Sequence, residues 1–396
     1  MFEKLETLPP DPILGLATAF REDPSPAKVD LSVGVYRNRS GLTPLMEAVL
    51  SAERDLIAQQ STKSYLPPAG APAFREEIFR LVLGDAAAGL RARSAVIQAP
   101  GGCGALRLGA ELVHRASPGA TVLLGDPTWP NHGPLLTGGG LTLARHPYYD
   151  ASRHTVDLQP MLDALERTPA GTLVLLQASC HNPTGADPDE AQWRAILEVV
   201  ARRSLVPFFD IAYQGLGDDL DRDAFAIREA TRHVPEVIVA VSCSKSFGLY
   251  RERTGALLVV GDDAAHARAI ESQANKAARA MYSMPPGHGA LIAERILGDA
   301  TLAATWRKEL AGMAARLRSL REAFVAAVHA ARPDVDIGWL ARQRGMFSLL
   351  GLPAEAVREL RERHHVYMGL DSRVNIAGLS EDNVGRVAEL VAPHLQ

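Results

Sequence analysis

Apolar and polar positions divide the chain into three regimes. Residues 1–11 show little periodicity and include Pro9-Pro10, which predicts an extended arm that needs another surface to rest on. Positions 30–36 alternate as a short strand does, 38–41 have turn composition, and Pro44 opens an amphipathic pattern that predicts a helix to about residue 60. From 96 to 260, apolar strand candidates at 121–125, 172–177, 206–210, 237–242 and 256–260 alternate with helical segments. That alternation predicts an α/β fold with a mostly parallel sheet, whose ligands gather at the carboxyl ends of the strands. Beyond Asp262 the pattern turns helical, with one long helix expected over 302–331. Short strands are expected at 345–350, 366–368 and 373–376, and Ser380 is placed to cap a last helix. No internal repeat or low-complexity linker interrupts this order.

Composition narrows the class. Nearly half of the 396 residues are hydrophobic, enough for a sizeable core. The net charge of −4 is spread among interspersed charges, so neither a nucleic acid nor a membrane surface is an expected partner. The apolar runs are too short to span a bilayer, and residues 1–6 lack the basic and apolar regions of a signal peptide, which predicts a cytoplasmic protein. Cys103, Cys180 and Cys243 are odd in number and not in metal-ligand spacing, so reduced thiols and no metal are expected.

The candidate chemistry centres on Lys245, which follows the apolar β-branched run 237–241. A solvated lysine at a strand end is the ordinary alternative. Six lysines stand against 36 arginines, however, so mere positive charge is supplied elsewhere by arginine. A lysine desolvated near Arg251 or Arg253 can become a neutral amine nucleophile or base, which an arginine cannot. Asp210 ends the run Val206-Pro-Phe-Phe-Asp, where by itself it reads as a cap of the next turn. Likewise Asn182-Pro-Thr-Gly alone is an ordinary turn, Trp129 alone a core residue, and Pro100-Gly-Gly-Cys-Gly a glycine turn entering a helix, whose free amides favour a phosphate.

The segment Ser242-Cys-Ser-Lys245-Ser-Phe-Gly-Leu-Tyr-Arg-Glu-Arg253 resembles the cofactor-lysine signature of fold-type I, class I aminotransferases, in the branch holding aspartate and aromatic-amino-acid aminotransferases. Further motifs in the family's order run from Asp11-Pro-Ile-Leu-Gly-Leu to Asp371-Ser-Arg373-Val-Asn-Ile-Ala-Gly. The resemblance implies a large domain, 44–312, with a mostly parallel sheet, and a smaller, movable α+β domain formed by 12–43 and 313–396. It also implies pyridoxal 5'-phosphate as cofactor, held covalently by Lys245, which then serves as the catalytic base. Asp210 would face the pyridine nitrogen with His132 behind it. Tyr213 and Asn182 would reach the ring oxygen, and Trp129 would stack on the ring. Gly102, Cys103, Ser242 and Arg253 would hold the phosphate, joined by Tyr65 from the partner of a homodimer. Two positions depart from the pattern. Cys103 stands where relatives usually have Thr or Ser, and Gln177 where many have a histidine.

For substrates, Arg373 matches the arginine that clamps the α-carboxylate, with Gly34, Trp129, Asn182 and Phe347 around the same group. Arg279 matches the arginine that crosses the dimer to a distal carboxylate, which implies glutamate and 2-oxoglutarate as one amino-acid and oxo-acid pair. The Ser-Cys-Ser-Lys and Tyr-Arg-Glu-Arg-Thr-Gly motifs, and Met284 at the pocket edge, favour an aromatic amino acid as the other substrate. A strict aspartate aminotransferase is the alternative. A non-catalytic cofactor-binding regulator and a lyase on the same fold are the other classes.

Overall fold

The computed structural model describes residues 1–7 and 12–395. Its centre is a seven-stranded sheet: β1 (Ser94–Pro100), β2 (Thr121–Asp126), β3 (Thr142–Pro147), β4 (Leu173–Gln177), β5 (Val206–Ile211), β6 (Val237–Ser242) and β7 (Thr254–Val260). The strand order is β1-β7-β6-β5-β4-β2-β3. All neighbours are parallel except β7, which runs antiparallel to both β1 and β6.

Helices cover both faces, so central strands need apolar residues on both sides. In β6, Val237, Val239 and Val241 join one hydrophobic cluster while Ile238 and Ala240 join the other. That two-sided burial is why 237–242 reads as an unbroken apolar run. Edge strand β3, Thr-Leu-Ala-Arg-His-Pro, was not among the expected strands, because a strand paired on one side tolerates polar residues.

Residues 1–7 hold a short exposed turn at Phe2–Lys4, and the rest of the expected arm, 8–11, lies outside the described residues. The strand expected at 30–36 is only Val29–Asp30, paired in parallel with Val366–Tyr367. Past Asp30 the Asn375 side chain donates to the carbonyls of Val33 and Val35, at 2.6 and 2.8 Å, in place of a neighbouring strand. The helix expected from Pro44 begins at Glu47, because Met46 is extended and the Glu309 carboxylate, from a distant helix, receives the Glu47 and Ala48 amides. Ser380 does not cap the last helix, Val384–Val391, with its hydroxyl. Its carbonyl accepts the Val384 amide, and Asn383 occupies the cap.

A 32-residue helix, Ala300–Ala331, begins on an Asp299 side-chain cap and crosses residues 312 and 313 without a break. Near its start Trp306 stacks on Phe247 and donates to the Ser246 carbonyl at 2.8 Å, beside Lys245. Further along the same helix, Arg321 is 1 % exposed and faces the segment 340–348. There Phe347–Leu349 pairs antiparallel with Arg373–Asn375.

Candidate active site

The carboxyl ends of the parallel strands open into a cavity of about 260 Å³. Gly102 and Cys103 enter it from the helix after β1, Trp129 from the loop after β2, and Asn182 from the loop after β4. Asp210 comes from β5 itself, Tyr213 from just beyond it, and Ser242, Ser244 and Lys245 from the end of β6. Gly34, Phe347 and Arg373 close it from the other side.

Lys245 has its Nζ 5.2 Å from the Tyr213 ring centroid. Burial pushes its ammonium below the ordinary lysine range, with Asp210 opposing the shift. An amine so placed loses its proton more readily than a free lysine, as a nucleophile or base must. Asp210 is buried, with His132 Nε2 2.9 Å from its Oδ2, and His132 itself is completely buried behind it. Burial, and then the Asp210 charge, push the Tyr213 hydroxyl well above its usual range, so it stays protonated and can donate. Trp129 meets His132 edge-on, leaving the Trp129 ring as part of the cavity wall.

At the other end of the cavity the helix Gly101–Ala116 starts after Pro100 with no side-chain cap, so its first amides remain open donors. Arg253 stands beside them, its Nη1 held by the Tyr250 carbonyl at 2.9 Å and near Ser244 Oγ at 3.4 Å. Gly101 has φ +69°, and a Cβ there would come within 2.5 Å of the Arg253 guanidinium. Glycine is what lets amides, guanidinium and the Ser242 hydroxyl converge on one small anion. These donors fit a phosphate monoester, and Asp210 and Tyr213 fit a pyridine ring with a hydroxyl substituent. Cys103 contributes only a thiol, with Asn131 Nδ2 at 3.9 Å.

Arg373 is buried, donating to the Ser32 carbonyl at 3.0 Å and to Asn182 Oδ1 at 3.3 Å. Burial also lowers its pKa, the Asp371 charge opposing. Tyr65 and Arg279 lie apart from this group. Tyr65 is 89 % exposed, Arg279 is also exposed, and neither lines the cavity. Met284 does not line it either, its sulfur receiving the Leu66 amide at 3.2 Å.

Sequence reasoning missed several contributors. Leu106, Ala212 and Ser244 line the cavity with no signal of their own, although Ser244 lies inside the lysine motif. Arg321, one of many arginines on its helix, donates to the carbonyls of Leu340, Arg344, Gly345 and Phe347 and to Ser348 Oγ. Asp187 receives the amides of Cys180 and His181, at 2.6 and 2.8 Å, and thereby shapes the loop that carries Asn182. Burial pushes its carboxyl up to about 7.

The family model for class I and II aminotransferases matches residues 26–391. The chain belongs to the class I and II aminotransferases. Within that family it is 44% identical to the aromatic-amino-acid aminotransferase of Pseudomonas aeruginosa over 392 residues, covering 99% of this chain and 98% of that relative. It is 39% identical to the aspartate aminotransferase of Escherichia coli, covering 99% of each. It superposes with a TM-score of 0.97, at 41% identity and over 100% of both chains, on an aromatic-amino-acid aminotransferase from Burkholderia pseudomallei covalently bound to pyridoxal phosphate. The expected family and fold class agree with these findings. This aminotransferase has no helix, among the described residues, long and apolar enough to cross a membrane.

Proposed function

We propose that the chain is a pyridoxal-phosphate aminotransferase that moves the amino group between an aromatic amino acid, or aspartate, and 2-oxoglutarate in a ping-pong cycle. The observation that carries this reading is the placement of a desolvated Lys245 in one cavity with Asp210, Tyr213 and the α-carboxylate arginine Arg373. When bound, pyridoxal phosphate supplies an electron-withdrawing ring that eases departure of the proton from the substrate's α-carbon.

The chain's own residues do the rest. Lys245 Nζ would hold the cofactor and then carry the α-proton, a task that its desolvated, readily neutral amine suits. Asp210 would set its carboxylate against the pyridine nitrogen and keep that nitrogen protonated. Tyr213 and Asn182 would donate to the ring oxygen, Trp129 would form the ring's wall, and His132 would hold Asp210 in place. Gly102, Cys103, Ser242 and Arg253 would surround the phosphate. Arg373 would pair its planar fork with the substrate carboxylate, against the Gly34 backbone and the Phe347 ring.

Two parts of the reading reach beyond one chain. Tyr65 and Arg279, exposed here, are assigned to the partner's site in a homodimer, where Arg279 would meet the distal carboxylate of 2-oxoglutarate. Residues 12–43 and 313–396 are assigned to a small domain that closes over 44–312, supported by the pairing of Val29–Asp30 with Val366–Tyr367. Three free cysteines, two of them buried, suit a cytoplasmic enzyme. The aromatic preference is supported by a relative so named at 44% identity, and by a tyrosine aminotransferase of Rhizobium meliloti at 43%.

A panel of phenylalanine, tyrosine, tryptophan and aspartate with 2-oxoglutarate tests the proposal. Faster turnover of the aromatic substrates supports it. Turnover of aspartate alone would make this a strict aspartate enzyme, and turnover of none would overturn the reading.

A further inference from the structure

Gln177, the last residue of β4, has its side-chain amide held at both ends by the backbone of a single residue. The Asn182 amide donates to Gln177 Oε1 at 2.9 Å, and Gln177 Nε2 donates to the Asn182 carbonyl at 3.0 Å. A backbone N–H only donates and a carbonyl only accepts, so this pairing decides which end of the side chain is oxygen and which is nitrogen. The second hydrogen on Nε2 is thereby directed to Thr128 Oγ1, 3.3 Å away. From Thr128 the line continues: Oγ1 is 2.8 Å from His132 Nδ1, and His132 Nε2 is 2.9 Å from Asp210 Oδ2.

We propose that Gln177 is a positioning residue that holds His132 neutral, with its single proton on Nε2, and so leaves Asp210 facing the cavity as an unneutralised carboxylate. A hydroxyl has one hydrogen to give. With an amide N–H already directed at Thr128 Oγ1, that hydrogen goes to Nδ1, which accepts through its lone pair. The ring proton then sits on Nε2 and points at Asp210. The competing imidazolium would aim a second N–H at an oxygen that already receives one. It would also put a cation beside the buried ring of His181, on which further positive charge is unfavourable. The charged neighbour that would favour the imidazolium is Asp210 itself.

The same amide also fixes Asn182, whose Oδ1 receives Arg373 Nη1 at 3.3 Å. One neutral side chain therefore connects the group behind Asp210 with the group beside Arg373. The catalytic consequence rests on the function proposed above, whereas the protonation state of His132 is a property of the chain itself and can be read without turnover.

The test is ¹⁵N NMR of histidine-labelled protein, with and without pyridoxal phosphate, His132 being assigned by the signals absent from His132→Gln. At about pH 8, where a free histidine is already neutral and a free glutamate ionised, wild type is expected to show a pyridine-type Nδ1 and a pyrrole-type Nε2. Gln177→Glu turns an acceptor towards Thr128, reverses its hydroxyl, and is expected to shift Nδ1 to the pyrrole type, giving the imidazolium pattern. Protonated Nδ1 in wild type would overturn the inference without need of the Gln177 variant, and so would an Nδ1 shift unchanged in folded Gln177→Glu. The expected spectra from a protein inactive on every amino acid would support the inference and overturn the proposed function instead.

Discussion

The Arg373 guanidinium lies 4.5 Å from the centroid of the Phe347 ring, and that ring in turn leaves no room for a side chain at Gly34, where a Cβ would approach it to 2.9 Å. The three residues come from three separate stretches of chain. Stacking on the aromatic face, together with bonds to Ser32 and Asn182, holds the guanidinium in one plane, so that its fork is ready before an anion arrives.

Arg373→Ala is therefore expected to cost roughly 2 to 5 kcal/mol in kcat/KM for every amino acid tested, since the α-carboxylate is common to all. Steady-state kinetics on two chemically different amino acids checks this. A loss confined to one of them would remove Arg373 from the α-carboxylate site.

Lys245→Ala is expected to abolish transamination and the near-visible absorbance of the loaded protein. A second expectation concerns pH. Because burial lowers the Lys245 pKa, the unfolded chain holds a proton that the folded, cofactor-free chain does not, in the window between the lowered value and the ordinary lysine value. Stability therefore rises with pH through that window, and the penalty is fully present below it. Lys245→Met should melt higher than wild type at neutral pH when both are cofactor-free, and the gap should close as the pH approaches the ordinary lysine range. Calorimetry across that range measures the gap, and a gap that widens with pH would contradict the assigned burial.

Asp210→Ala removes the carboxylate that His132 supports, and is expected to raise the barrier by on the order of 3 kcal/mol. Turnover within a few-fold of wild type would make Asp210 a structural residue.

The dimer assignment is tested with mixed dimers. Tyr65 variants paired with Lys245 variants should recover one good site, whereas a fully active monomer would exclude the shared site. In single-turnover half-reactions, Arg279→Ala should slow glutamate and aspartate by orders of magnitude and leave phenylalanine little changed. An equal loss for both classes would remove Arg279 from substrate discrimination.

Much of this arrangement is legible along the chain wherever one segment carries the whole signal. Strand β6 is two-sided and apolar, and its end, with Ser242 and Lys245, was bounded to the residue. Gly102 and Arg253 stand in short motifs, and both line the one cavity. What escaped depends on groups that meet only in three dimensions. The start of the helix at Glu47 is set by Glu309, the ordering of Val33 and Val35 by Asn375, and the role of Gln177 by Thr128 and the Asn182 backbone. Arg321 gave no sign because its partners are carbonyls, which every residue has.

Arg321→Leu would remove a buried donor from four carbonyls, those of Leu340, Arg344, Gly345 and Phe347, and is expected to cost about 3 kcal/mol of stability. Its α-carboxylate KM should rise as well, because Phe347 loses its tether. Denaturant unfolding and KM measured together check both, and an unchanged KM would separate Arg321 from the Phe347 wall.

The long helix Ala300–Ala331 touches the site at both ends without entering it, through Trp306 at the Ser246 carbonyl and Arg321 at the Phe347 carbonyl. The two feet are 15 residues apart, about 22 Å at 1.5 Å per residue. The helix thus braces from outside both the segment that carries Lys245 and the segment that carries Phe347, the ring on which Arg373 stacks. One residue inserted between the feet would turn Arg321 by about 100° away from its carbonyls, whereas four would nearly restore its direction but lengthen the span by about 6 Å. A change of length between the feet would therefore reach the site although no residue of the helix lines its cavity.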